Sequence, residues 1–294
     1  MAVWGLGVIN NVINWGRGAF NNLISWGIVQ KTSPAGDTEI YGLRQDTDTT
    51  AFLNVTGITD ATISSALDTL VLDLKGYGIW AKMKAIYPFV GGTATTHKFN
   101  LKDARDLDAA FRLSFFGGIT HSSNGVQGNG TNGYANTFLI PSTSLSLNST
   151  SVSIYSRTDT ISNKGDFGCN TSTPTTSFLV GYLKFTDSKQ YYIMNSITPY
   201  GITSTTNTSL GLFTYNRNSS TTQNLYKNGA QINSTLKLSV GLPNNNFYLL
   251  GVNSGEFSNK QIAFATIGDG LTDTEASNLY LAVQKFQTTL SRQV

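Results

Sequence analysis

The sequence predicts a mainly β chain: an antiparallel jelly-roll sandwich preceded by an N-terminal arm and a short helical segment, and closed by a C-terminal helix. Three observations point there. Of 294 residues, 13% are charged and about a third are Ser, Thr or Asn, a balance that suits turns and sheet surfaces better than long solvated helices. From Phe111 onward, short β-rich runs recur between Gly, Asn, Ser and Thr, the spacing of a sandwich or jelly roll. Asn228-Gly229 lies between "LYK" and "AQI", where a type I′ hairpin needs two residues with positive φ.

The elements follow in order. Residues 1–30 form the arm. Trp4-Gly5, Trp15-Gly16 and Trp26-Gly27 stand eleven residues apart, and three of the four tryptophans of the chain lie here. Ile9, Ile13, Phe20 and Ile24 fit a loose stripe at 3.67 residues per turn, but the glycines and asparagines oppose a helix stable on its own. Trp4, Trp15, Phe20 and Trp26 are therefore the candidate anchoring residues, since indoles with adjacent glycines make strong, close interfaces. Residues 31–56 read as a polar linker with short extended pieces, and 57–110 as a helical connecting segment. Within it, Thr59 or Asp60 caps a helix over 59–75, where Ile63, Leu67, Leu70, Val71 and Leu74 recur at three and four. "IWAKMKAI" adds two turns, with Trp80, Met83 and Ile86 on one side, before Pro88 ends it.

Residues 111–294 form the jelly-roll domain. Its strands are "TSVSIYS", "SFLVGYLKF", "QYYIMN", "SLGLFTY", "NLYKNGAQI", "NFYLLGV" and "QIAFATIG". Thr272 and Glu275 then spell a capping box. Ala276, Leu279, Tyr280, Val283, Phe286 and Leu290 mark the apolar face of a last helix that docks on the sandwich or on a neighbouring subunit.

Several function classes lose support. The net charge is +3 with scattered lysines and arginines, so no nucleic-acid groove is indicated. The opening lacks a basic start and a cleavage site, and no apolar run reaches the ~20 residues that span a bilayer. One cysteine, Cys169, allows no intrachain disulfide and reads as a core residue. Gly128–Gly133 spell G-x-G-x-x-G without the strand and helix a dinucleotide site needs, so they read as a loop. The glutamates Glu39, Glu256 and Glu275 do not pair as glycoside hydrolysis normally requires. His97 and His121 are far apart in sequence and read as loop histidines; Asp106 and Asp108 read as a solvated surface. No catalytic or metal residue is assigned and no cofactor is expected. Ca2+ has two conceivable ligands, Asp166 and Asn170, too few to make a site.

Residues 111 to 290 resemble the concanavalin A-like lectin/glucanase superfamily in its laminin-G-like form. The resemblance is carried by "NGTNGYANTFLIP", "LYKNGAQI", "FYLLGVN" and "QIAFATIGDGLTDTEASNLY". Over residues 57–294, "WAKMKAIYPFVGG", the Gly/Asn loop, "SIYSRT" and the ending to Val294 resemble virion proteins of tailed bacteriophages, the crAss-like phages among them. The resemblance implies an oligomeric head or tail fibre subunit, with three copies as the first expectation. It would assemble in the bacterial cytoplasm, dock on capsid or tail proteins through its arm, and expose a jelly roll to host-surface or mucin glycans. No glycan-binding residue is assigned. The alternative is a glycan depolymerase or hydrolase on the same fold; hydrolases of the superfamily carry E-x-D-x-E on one strand, and no such strand exists here, which gives that reading little support. The Asp/Asn set that binds Ca2+ in its lectins does not align with this chain.

Overall fold

The structure, a computed structural model, describes residues 28–32, 38–42, 45–171, 176–202 and 208–294. Strands β1 (Ile28–Thr32) and β2 (Thr38–Gly42) form an antiparallel hairpin within a unit of residues 1–46. The anchoring candidates Trp4, Trp15, Phe20 and Trp26 lie outside the described residues.

Residues 47–294 form the second unit. It opens with helices α1 (Thr47–Thr56) and α2 (Ala61–Gly76), then β3 (Met83–Tyr87) and the single turn α3 (Ala94–His97). Short strands follow: β4 (Ser114–Phe116), β5 (Thr120–Ser122), β6 (Gly125–Gln127) and β7 (Tyr134–Asn136), then the turn α4 (Pro141–Ser144). The longer ladder comprises β8 (Thr150–Ser156), β9 (Phe167–Thr171), β10 (Ser177–Tyr182), β11 (Tyr191–Ser196), β12 (Gly201–Ile202), β13 (Gly211–Arg217), β14 (Thr222–Lys227) and β15 (Ala230–Leu236). The chain closes with β16 (Tyr248–Leu249), β17 (Gly251–Val252), β18 (Glu256–Phe257), β19 (Gln261–Gly268) and helix α5 (Asp273–Thr289).

These strands make two antiparallel sheets. One has seven strands in the order β12-β11-β10-β9-β16-β7-β4; the other has eight, β15-β14-β13-β8-β19-β6-β5, with β3 also paired to β19. Side chains alternate across each strand. Val152 and Ile154 of β8, Phe213 and Tyr215 of β13, and Leu179 and Tyr192 opposite them fill the space between the sheets. From the other face of the eight-stranded sheet, Tyr155, Leu212 and Phe264 meet Leu67, Leu70 and Leu74 of α2 and Leu279, Val283 and Phe286 of α5. The order of layers is therefore sheet, sheet, helices, a sandwich with one helix-covered face.

Local chemistry explains the helix ends. Asp60 caps α2 by accepting the Ile63 N–H. Thr272 and Glu275 form the reciprocal box at the start of α5, which satisfies two N–H groups that the helix leaves open. At the β14–β15 turn, Asn228 has φ 49° and Gly229 φ 77°, as a type I′ turn requires. Near the end of the chain, Arg292 is buried. It donates to the carbonyls of Pro88, Phe89, Ser123 and Ala263 and to Gln287 Oε1.

Two sequence expectations are corrected. The stretch expected as helical turns after Ile79 is one 3-10 turn, Trp80–Lys82, followed by β3. Trp80, Met83 and Ile86 do recur at three, but Met83, Ala85 and Tyr87 also recur at two. Pairing with β19, with Tyr87 opposite Ala265 and Ala85 opposite Ile267, selects the strand. Met83 and Ile86 reach the helix cluster while Ala85 and Tyr87 enter the inter-sheet core. The second correction concerns the linker: residues 47–56 are helical, because Phe52, 1% exposed, packs into the cluster with α2. Tertiary burial outweighs the poor helix propensity of its threonines. Through β3 and these helices, residues 57–110 are built into the same unit as the strands.

Candidate ligand-binding face

The second outer face, that of the seven-stranded sheet, carries no helix from α2 or α5. Alternation there sends Phe115, Ala135 and Leu249 toward the core and leaves Phe116, Tyr134 and Tyr248 pointing outward. Phe116 and Tyr134 are opposite one another in the β4–β7 ladder. Their rings stack at 4.9 Å with 14° between planes. Tyr248 meets Tyr134 edge-on at 5.6 Å, and Phe257 approaches it at 6.0 Å. Phe116 is 43% exposed; the other three are half-buried. The result is a strip of four rings along one sheet end.

Beside Tyr248 the surface hollows into a pocket of 520 Å³, lined by Ile140, Asn244, Asn245, Asn246, Tyr248 and Asn253. Its amides are braced. The Asn170 N–H donates to Asn253 Oδ1 at 3.0 Å, and Asn253 Nδ2 donates back to the Asn170 carbonyl at 3.2 Å. Asn245 Nδ2 donates to the same carbonyl at 2.6 Å, and Ser142 Oγ donates to Asn244 Oδ1 at 3.1 Å. Asn253 holds φ 49° at the β17–β18 turn, a conformation asparagine tolerates better than most residues. No lining residue carries a charge. Neutral amides offer donors and acceptors together, and phenol rings offer an apolar face with a polar edge. Such a surface complements a neutral, hydroxyl-rich ligand with patches of C–H.

Nearby carboxylates are occupied in holding the fold. Asp166 is buried and accepts from Ser258 Oγ and from the Leu183 N–H. Burial raises its pKa, partly offset by Lys260 and by the hydroxyl of Ser258. Lys260 Nζ donates to the carbonyl and hydroxyl of Thr160. Glu256 accepts from the Gly165 N–H and from Tyr182 OH. Tyr182 is packed edge-on against Phe185 and Tyr200, and desolvation pushes its ionisation far up. Among the described residues, no carboxylate lines the pocket.

The remaining sequence candidates separate. His97 and His121 come together: their Nδ1 atoms are 3.1 Å apart, and the Gly92 N–H donates to His97 Nε2 at 3.1 Å. That bond makes His97 Nδ1 the protonated donor toward His121. Burial first, then His121 and Arg292, push the His97 pKa down to about 3. Asp106 pairs with Lys98 and Arg112, and Asp108 with Arg112. In the glycine loop, Asn129 Oδ1 accepts the N–H groups of Thr131, Asn132 and Gly133 at 3.0 Å each, so the loop closes on itself. Asp166 accepts from Ser258 and Leu183, while Asn170 bonds Asn253. Among the described residues no group of three or more His, Cys, Asp or Glu could hold a metal ion. Cys169 is in the inter-sheet core, where burial pushes its thiol pKa up.

Sequence reasoning missed Phe116, Tyr134, Tyr248 and the bracing of Asn170 by Asn253. A signal existed in "PNNNFYLLGVN", three asparagines directly ahead of two adjacent aromatics, one of which must face away from the core in a strand.

No family model and no curated protein matches the sequence. Solved structures do resemble the fold. Trypanosoma rangeli sialidase in complex with sialic acid superposes with a TM-score of 0.52 at 11% identity, over 74% of this chain and 39% of the sialidase. Domain 4 of AbnA, a GH43 extracellular arabinanase from Geobacillus stearothermophilus, in complex with arabinotriose, gives 0.44 at 15% identity, over 68% of this chain and 98% of the domain. The botulinum neurotoxin serotype D binding domain gives 0.45 at 10% identity, over 69% and 52%. The chain thus spans well under half the length of the sialidase, and the likeness speaks for a mainly antiparallel β-sandwich fold.

Proposed function

We propose that this chain is a non-catalytic glycan-binding subunit of a bacteriophage head or tail appendage, with a concanavalin A-like jelly roll displayed outward and the Trp-Gly arm docking on the particle. The observation that carries the glycan reading is one end of the seven-stranded sheet, where Phe116 stacks on Tyr134 and Tyr248 meets it edge-on beside an uncharged pocket of asparagines. The rings present flat apolar surface to the C–H side of a sugar, and the amides match its hydroxyls. The virion reading rests on the resemblance of residues 57–294 and on the arm, too Gly-rich to fold alone and too apolar to stay solvated.

Saturation-transfer NMR with a panel of neutral oligosaccharides tests the first part. Binding is expected, and Tyr248→Ala is expected to weaken it at least tenfold, about 1.4 kcal/mol; no binding across the panel, or binding untouched in Tyr248→Ala, refutes the face. Release of reducing ends from a bacterial capsular polysaccharide, lost on substituting Glu256 or Asp166, would make the chain a depolymerase instead. For the virion part, deletion of residues 1–30 should leave a folded sandwich that no longer joins particles. Incorporation at normal occupancy would remove the arm as anchor.

A further inference from the structure

Strand β15 is built inside out. From Ile232 to Val240 exposure alternates residue by residue, as a strand demands, but apart from Ser234 the exposed set is the apolar one. Ile232 is 42% exposed, Leu236 85%, Leu238 67% and Val240 43%, with Ile197 at 40% beside them. The inward set is polar: Asn233 Nδ2 donates to Tyr192 OH at 3.1 Å, and Thr235 Oγ1 lies 3.4 Å from the same hydroxyl. Past Leu236 the extended chain continues, with the N–H groups of Lys237 and Ser239 donating to the carbonyls of Thr221 and Ser220. The N–H of Val240 donates to the Asn195 carbonyl, which places Ile197 alongside the stripe. Other exposed aliphatics, such as Leu72 and Leu107, are single residues on separate elements and need no explanation.

The strand is also an edge. It pairs with β14 and with no other strand among those described. Soluble proteins protect such edges with outward charge, proline or distortion. Here the single charge between Asn228 and Phe247 is Lys237, and its Nζ is turned to the Pro199 carbonyl at 2.9 Å. The register shift lies at Leu225/Tyr226, near the turn, and leaves Asn233 to Leu236 regularly paired.

We propose that this stripe is the contact between identical copies of the chain. Two arguments select a second copy as its occupant. An uncharged stripe offers nothing to a partner that binds through charge, whereas a copy of itself brings the same aliphatic rows with no like charges to oppose. The five residues expose about 500 Å² of surface, so two copies that covered them fully would bury about 1,000 Å² together, the lower bound for a specific association. Rotational symmetry then covers the stripe on every copy.

The full-length chain tests this by light scattering after size exclusion at 10 µM. A homo-oligomer is expected, and Leu236→Lys with Leu238→Lys together should convert it to a monomer with an unchanged melting temperature, since both side chains are largely in solvent within one copy. Ser234→Cys, on the exposed side between Ile232 and Leu236, should give a covalent dimer under mild oxidation. A monomeric parent protein overturns the proposal. So does an oligomer whose mass survives the double substitution, the result expected if the N-terminal arm alone holds copies together. If the double variant misfolds, the Ser234→Cys cross-link decides: a covalent dimer supports the interface and its absence refutes it.

Discussion

The two outer faces of the sandwich receive opposite treatment. On the eight-stranded sheet, Tyr155, Leu212 and Phe264 are at most 1% exposed beneath α2 and α5. On the end of the seven-stranded sheet, Phe116, Tyr134 and Tyr248 form a ring cluster beside a pocket of asparagines, away from the cluster that α2 and α5 build. Both faces carry aromatic residues, so composition does not separate them. What separates them is the company of each ring: aliphatic side chains from two helices on one face, amides and solvent on the other. The first arrangement stores stability, and the second keeps apolar surface available for a ligand.

The comparison can be broken by truncating each face in turn. Phe286→Ala removes a ring, 2% exposed, from the helix-covered face, and should cost about 3–5 kcal/mol of unfolding free energy, read by urea denaturation, with ligand affinity of the folded fraction unchanged. An equally stable variant would mean that α5 is loosely seated. Acid sharpens the contrast next. His97 is neutral in the folded chain down to about pH 3 but becomes charged in the unfolded chain below its ordinary value near 6.5. The unfolded state therefore binds more protons in that window. His97 should contribute a fall of about 1.4 kcal/mol per pH unit as pH drops from 6 toward 3. In His97→Gln, which keeps a donor and an acceptor, that slope should flatten. Between pH 5 and 8 the ligand face, whose lining residues carry no charge, should bind with constant affinity; a bell-shaped profile would point to a titrating group in the pocket. The smallest expected effect on folding is that of Tyr248→Ala. It should weaken oligosaccharide binding at least tenfold, about 1.4 kcal/mol, while the unfolding midpoint in urea moves far less than in Phe286→Ala.

Much of the sandwich was legible because its signals are local. The strands Thr150–Ser156 and Gln261–Gly268, the Asn228-Gly229 turn and the Thr272–Glu275 box each depend on neighbours within a few residues. Residues 83–87 were misread because two periods coincide there, and only the distant β19 decides between them. Helix α1 was missed because its threonines suit helices poorly and its stability comes from burying Phe52. The candidate face was illegible for a related reason. Tyr134 and Tyr248 meet through β7 and β16, strands far apart in the chain, and nothing local marks a ring as outward or inward. The contact of His97 with His121 was invisible in the same way.

Strand β19 has a consequence in time. It lies between β8 and β6 and also takes β3 as a partner, so three earlier segments wait for residues 261–268 before their edges are closed. Pairings of such sequence separation are slow to form, and waiting strand edges invite association with other chains. Nascent or refolding protein that lacks β19 should therefore recruit chaperones or aggregate, and the yield of soluble chain should depend on how quickly this one strand arrives.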